Sequence, residues 1–332
     1  MNYVGVDFHK QLSYVTRMDE QGKIVERFEF RNSRENLEWF ARSLSREDWV
    51  AMEAVGHWMY GYEMIEASGA RFVLSHPQAT KAIASARLKN DKVDSAMLAH
   101  LLRTGLLPAA YIPPRAVRDL REVLRLRTAL AQMRSVVKIR LRSLLLKTGH
   151  DCPYTDVLGK SGIDYCRRLE VRPCYRLGLD HWLELGLALT AQLSAVEFVL
   201  AKEAKSTPEA ELLMSIPGVG LYSALLILAE IGEISRFKRA DQLVSWAGLA
   251  PSNRASAHHI HRGPITKRGS KYLRWILTEV SHHAVAGTRR FADKYEKVAA
   301  HRGKNKARIA VAAAVLRSIH WMLTHKQGFR DI

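Results

Sequence analysis

The chain has 332 residues, 47% of them hydrophobic and 25% charged, which excludes global disorder and suffices for two or three packed units. Lys and Arg number 51 against 33 Asp and Glu, a formal charge of +18, which points to a polyanionic partner. Three cysteines with no CxxC pair argue against a zinc framework or a disulfide scaffold and fit a reducing compartment.

The opening segment MNYVGVDFHK carries charges too early for a signal peptide. Tyr3–Val6, Ser13–Met18 and Ile24–Phe30 read as strands, with turn chemistry at Asp19–Gly22. Residues 33–44 predict a helix that starts at Ser33 and places Leu37, Phe40 and Leu44 on one face. Trp49–Met52 returns to strand, Met59–Ala67 to helix and Phe72–Leu74 to strand, the order of a mixed α/β sheet with covering helices. Pro108, Pro113 and Pro114 mark a linker, giving an amino domain over 1–112.

Beyond it Val123, Leu126, Leu130, Met133, Val137, Leu141 and Leu144 predict a long amphipathic helix, and Leu183, Leu187, Leu193, Val196 and Leu200 a second. Over 113–206 the two form either an antiparallel hairpin within one chain or a coiled-coil seam between chains. The third region, 207–332, contains Ser215-Ile-Pro-Gly-Val-Gly220 ahead of an apolar helix, a pattern like the turn of a helix-hairpin-helix element; a plain interhelical turn is the alternative. The longest clean apolar run, within Ser223–Ile231, is too short to cross a bilayer, and Arg308, Arg317 and His320 interrupt the Ala-rich stretch Ala307–Leu323, so no membrane association is expected.

Charge follows the same division. Residues 1–60 carry eight basic and ten acidic side chains, whereas residues 118–147 carry nine basic and two acidic. The amino region therefore keeps its carboxylates, and four of them form a pattern. Asp7 and Glu53 end predicted core strands, where an acid is costly unless paired or bound to a cation. Asp91 and Asp94 are spaced i, i+3, one face of a helix. Four hard oxygen donors suit two Mg²⁺ ions (Mn²⁺ as a substitute) about 4 Å apart, the arrangement of phosphoryl transfer. The plain alternative is that each is a surface or capping acid.

Gly5-Val-Asp-Phe-His-Lys10, Met52-Glu-Ala-Val-Gly-His57 and Lys89-Asn-Asp-Lys-Val-Asp94, taken with Ile216-Pro-Gly-Val-Gly220, Gly248-Leu-Ala-Pro251 and Gly263-Pro-Ile-Thr-Lys-Arg-Gly269, resemble in order and spacing the DEDD-type insertion-sequence transposases of the IS110 family. The resemblance implies an RNase H-like (RuvC-type) amino domain, a helical coiled-coil middle, and a mainly α carboxy-terminal transposase domain. It implies that Asp7, Glu53, Asp91 and Asp94 bind metal. It also implies that a serine of the last domain attacks DNA, and Ser256 falls at that position, with Ser252 and then Ser270 as alternatives. The family's serine pair followed by glycine is Ala255-Ser256-Ala257 here, a departure that removes glycine's backbone freedom after the serine.

The implied activity is RNA-guided transposition. A structured bridge RNA pairs with target and donor DNA, and a homodimer assembles to a homotetramer on DNA in the bacterial cytoplasm, associated with the nucleoid. Arg125, Arg134, Lys138 and Arg142 on the long helix, with Arg262, Lys267, Arg268, Lys271 and Arg274 around the serine, are the expected nucleic-acid contacts. The rival readings are a RuvC-like nuclease that uses the same acids to activate water, and a non-catalytic nucleic-acid-binding protein.

Overall fold

The computed structural model describes residues 1–83, 91–205, 207–256 and 259–331, and side chains outside 253–262. The chain forms two compact units, Met1–Ile112 and Pro113–Ile332.

The first unit is a five-stranded mixed sheet in the order β3-β2-β1-β4-β5, consistent with an RNase H-like DEDD transposase fold. β1 (Tyr3–Phe8), β2 (Leu12–Met18) and β3 (Ile24–Arg31) form an antiparallel meander, and β4 (Trp49–Glu53) and β5 (Arg71–Ser75) run parallel to β1. Parallel pairing requires crossovers, supplied by α1 (Arg34–Arg42) and α2 (Trp58–Glu66). Ser33 caps α1 by accepting a hydrogen bond from the Asn36 amide. Alternation of side chains separates two faces. Val4, Val6, Val50 and Met52 pack with Leu37, Phe40 and Ile65 of the crossover helices. Tyr3, Trp49, Ala51 and Val73 pack with Leu98 and Leu102 of α4 (Asp91–Arg103), which follows the short α3 (Pro77–Ile83).

In the second unit α5 (Arg115–Lys147) and α7 (Pro173–Ala204) lie antiparallel: Arg127 pairs with Glu197 at 2.7 Å, and Leu144 meets Gly178. Between them comes α6 (Lys160–Arg168). The buried row of α5 is Leu124, Thr128, Val137, Leu141 and Leu145, whereas Leu126 and Met133 are exposed. Of the expected apolar stripe, Val137 and Leu141 are buried and Val123, Leu130 and Leu144 pack partly buried against the cores, so only Leu126 and Met133 depart from it; Thr128 joins the buried row and donates its hydroxyl to the Leu124 carbonyl. α7 is long and apolar enough to cross a membrane by length and composition, with a mean hydropathy of 1.5 over 18 residues. Glu184 and Glu197 interrupt that stretch, which hides it in a scan for clean runs. Its Leu179, Leu183 and Leu189 are buried against α5 and α6.

α8 (Pro208–Met214), α9 (Leu221–Ile231) and α10 (Ala240–Trp246) lead to the hairpin β6 (Pro251–Ser256) and β7 (His259–Ile265). α11 (Lys271–Gly287), α12 (Arg289–Arg302) and α13 (Lys304–His325) complete a core built on Leu225, Leu277, Phe291 and Leu316. The Ala-rich stretch expected to pack as a helix is α13, buried along most of its length.

Candidate active site

β1 and β4 register Val6 against Met52, so Asp7 and Glu53 are the next positions on neighbouring parallel strands, which lie about 4.8 Å apart. Alternation puts Asp7 on the face of Gly5 and Glu53 on the face of Ala51. This is the face that α4 crosses. A Cβ on Gly5 would stand 1.9 Å from the Ser95 carbonyl oxygen and 2.6 Å from the Ala99 nitrogen, so only glycine admits the helix this close to β1. The Thr16 and Ser95 hydroxyls, 2.9 Å apart and buried, pin the same crossing from β2. α4 begins with Asp91 and Asp94 in its first turn, where the helix dipole favours carboxylates. Asp91 stands one turn before Ser95, on the row that meets the sheet. Lys89 and Asn90 of the expected motif lie outside the described residues.

Asp7 is 7% exposed. His9 Nε2 lies 3.0 Å from Asp7 Oδ2 and 3.5 Å from Asp91 Oδ1, and one ligand atom from each of the three falls within a sphere of 4.8 Å mutual separation. Burial pushes the Asp7 carboxyl above its ordinary value; His9 opposes this, and the charges of Asp91 and Asp94 add to it. Tyr14, opposite Asp7 on β2, is likewise raised, by burial and by Glu29, Asp91 and Asp7. A buried carboxyl facing like charges is the situation a divalent cation relieves, and the donor set of carboxylate oxygens with one imidazole fits such an ion.

Of the four expected acids, Asp7 and Asp91 are together; Glu53 and Asp94 share their face of the sheet and their helix turn but are not in the 4.8 Å group. His9 was not among the expected site residues. Its signal is the period of two: a residue two past Asp7 returns to the same face.

Ser256 ends β6, its backbone paired with His259 of β7, which puts it at the tip of the hairpin; Ala257 and His258 lie outside the described residues. The base of that hairpin is a backbone crossing. A Cβ on Gly248 (φ +73°) would stand 2.1 Å from the Arg268 carbonyl oxygen, and one on Gly269 (φ +75°) 2.2 Å from that of Trp246. The Thr266 amide donates to Ala250 and the Lys267 amide to Gly248. Of the alternative serines, Ser270 caps α11, its hydroxyl accepting from the Leu273 amide, and the Ser252 hydroxyl lies against Gly263.

Several of the expected nucleic-acid contacts bond within the protein. Arg125 pairs at 3.1 Å with Glu230, which is 2% exposed. Lys138 pairs with Asp156 at 2.9 Å, and Arg142 donates to the carbonyls of Tyr154 and Thr155. Arg274 Nη1 donates to Ala247, Arg268 and Gly269 carbonyls at 3.2, 2.7 and 3.0 Å, and burial lowers its pKa. Arg134 is half-buried beside Asp156. Lys267, Arg268 and Lys271 are exposed, Lys267 with a left-handed backbone at φ 54°. Arg262 lies on β7, its backbone paired with Asn253.

Residues 210–296 match the model of the transposase IS116/IS110/IS902 family, and residues 4–150 match a transposase model of the DEDD IS110 type. The chain is 26% identical to the transposase for insertion sequence element IS1111A of Coxiella burnetii, over 98% of this chain and 91% of that protein. It is 25% identical to a probable family 20 transposase of Pseudomonas aeruginosa, over 89% and 86% of the two. It is 36% identical to the pilin gene-inverting protein of Moraxella bovis, over 32% of this chain and 34% of that one.

Proposed function

The chain belongs to the IS116/IS110/IS902 family of transposases, an enzyme of DNA strand transfer, and from that premise we propose that it inserts and excises an insertion sequence by serine chemistry supported by an acidic metal site. The observation that carries the reading is the meeting of Asp7, His9 and Asp91 where α4 crosses β1.

In this reading the amino domain, 1–112, is of RuvC type, and Asp7 and Asp91 bind Mg²⁺ with Glu53 and Asp94 completing the set. When bound, the ion neutralises charge on the scissile phosphate and lowers the cost of deprotonating a hydroxyl. Ser256 Oγ forms the bond to phosphorus as its proton passes to a carboxylate or to water, the bond to the 3′ oxygen breaks, and that acceptor or another water returns a proton to the departing oxygen, which leaves as a 3′-hydroxyl. The resulting phosphoserine ester conserves the phosphodiester bond energy, so a different 3′-hydroxyl can displace the serine and rejoin the strand. Arg274 positions the serine hairpin by holding the crossing at Gly248 and Gly269. The exposed Lys267, Arg268 and Lys271, with Arg262, meet phosphates.

The remaining assignments follow the family. α5 and α7 over 113–206 serve as a coiled coil that joins protomers, so a homodimer, and on DNA a homotetramer, brings serine and acids together. The α8–α9 turn, at the start of the transposase domain over 207–332, acts as a helix-hairpin-helix. A structured non-coding bridge RNA pairs with target and donor DNA, and the protein works in the bacterial cytoplasm at the nucleoid. The second reading, a nuclease that activates water, draws on the same acidic group. Replacing Ser256 by Ala separates the two: the recombinase loses strand transfer, while the nuclease keeps cutting. Sequencing RNA that co-purifies with the protein from its native locus tests the guide, and absence of one discrete structured RNA counts against it.

A further inference from the structure

Within the Pro113–Ile332 unit, a groove of about 1200 Å³ runs between the base of the β6–β7 hairpin and helices α12 and α13. Its floor is aliphatic, formed by Val244, Leu249, Ile265, Val298, Ile309 and Ala310. Its rim is cationic, with Lys294 and Arg302 from α12 and Lys306 from α13. The helical repeat explains the pattern: Lys294, Val298 and Arg302 are spaced i, i+4, i+8, so one row of α12 presents cation, apolar floor and cation in turn. All three cations are exposed, and no carboxylate among the described residues pairs with them. The one acid in the lining, Asp241, is held by Arg317 at 2.8 Å.

We propose that this groove binds single-stranded DNA leading to the scissile phosphate. The cations complement phosphates, and an apolar floor suits the exposed base faces of a single strand, which in a duplex are stacked on one another. Among the lining side chains only Asn305 is a neutral hydrogen-bonding group, too little to read ribose hydroxyls along a strand, so the chemistry favours DNA over RNA. From Pro251 in the groove wall, β6 runs five residues to Ser256, about 17 Å at the usual strand rise. A strand held in the groove is therefore directed toward the proposed nucleophile. The inference rests on the reading that the chain acts on DNA.

The test is fluorescence anisotropy of the full chain with a labelled single-stranded DNA, an RNA of the same sequence and the corresponding duplex, each titrated with salt. Lys294→Ala, Arg302→Ala and Lys306→Ala combined lower single-strand affinity about 30-fold and reduce the slope of log affinity on log salt by about 2, the loss of three contacts at ~0.7 each; duplex affinity changes by less than about twofold. Ala310→Phe, which fills the floor without altering charge, lowers single-strand affinity about 10-fold. Should the triple variant fail to fold, photocrosslinks from an iododeoxyuridine strand to wild-type protein fall on peptides of 289–317. An equal loss of duplex and single strand, an RNA held more tightly through the same residues, an unaffected Ala310→Phe, or crosslinks elsewhere overturns the groove. Wild-type protein that binds no DNA of any form overturns instead the reading beneath it.

Discussion

Replacing Asp7 by Asn tests whether the acidic group is built for a cation. Asp7 is 7% exposed, and a carboxylate oxygen of Asp91 lies no more than 4.8 Å from one of its own. Two unit charges at that distance repel by about 3.5 kcal/mol at an effective dielectric constant near 20. The Asp91 side chain is 45% exposed, and solvent screening reduces this to about 1–2 kcal/mol. Because the folded-state pKa of Asp7 is raised, its ionisation disfavours the metal-free fold: its contribution is fully present below the unfolded value near 3.9 and is lost as pH rises through the folded value. Asp7→Asn therefore stabilises the protein in EDTA at neutral pH by about 1–2 kcal/mol, several degrees in Tm, and flattens the fall in stability with rising pH. Wild-type protein gains about 2.7 kcal/mol from Mg²⁺ at a hundredfold excess over Kd, and the variant loses most of that gain. Scanning calorimetry of the full chain with and without Mg²⁺ reads both effects. A variant less stable than wild type in EDTA, or a wild type indifferent to Mg²⁺, refutes the reasoning.

Other perturbations probe the supports of the two sites. Gly5→Ala puts a methyl 1.9 Å from the Ser95 carbonyl, so α4 must lift off β1; Mg²⁺ affinity by calorimetry falls at least about tenfold, more than stability alone accounts for. Arg274→Ala leaves three carbonyls without their donor and costs about 1–3 kcal/mol in urea unfolding, and Lys does not restore it, because an ammonium cannot reproduce the planar fork. Glu230→Gln breaks a pair in which the acid is 2% exposed and destabilises by about 3 kcal/mol; an unchanged urea midpoint would show Arg125 to be indifferent to it.

Most of the sheet was legible in the sequence because its signals are local. Apolar runs at residues 3–6 and 49–52, and Ser33 ahead of Leu37 and Phe40, need no tertiary information. The observed strands extend one or two residues further, to Phe8 and Glu53, which brings both acids inside the ladder ends. The convergence of Asp7 with Asp91 was expected from residue type, but its cause, the close approach of α4 at Gly5, is a packing event between segments ninety positions apart and has no periodicity to reveal it. In α5 the expected row is met at Val123, Leu130, Val137, Leu141 and Leu144, and the two departures have the opposite cause: Leu126 and Met133 fit a three-four pattern but face solvent, while Thr128, polar and so outside that pattern, is buried. The β6–β7 hairpin left no strand signal at all. Its sequence is polar and interrupted by Pro264, and what holds it is the backbone crossing of Gly248 and Gly269.

The central claim is that a hydroxyl of this chain becomes esterified to DNA. Trapping the reaction with a substrate nicked near the crossover, digesting it and sequencing the DNA-linked peptide by mass spectrometry tests it most directly. The account predicts a 5′-phosphate on Ser256 that forms only with Mg²⁺ or Mn²⁺ and disappears in Asp7→Asn. Cleaved DNA carrying no protein, or phosphate on Ser252 or Ser270 instead, would contradict it.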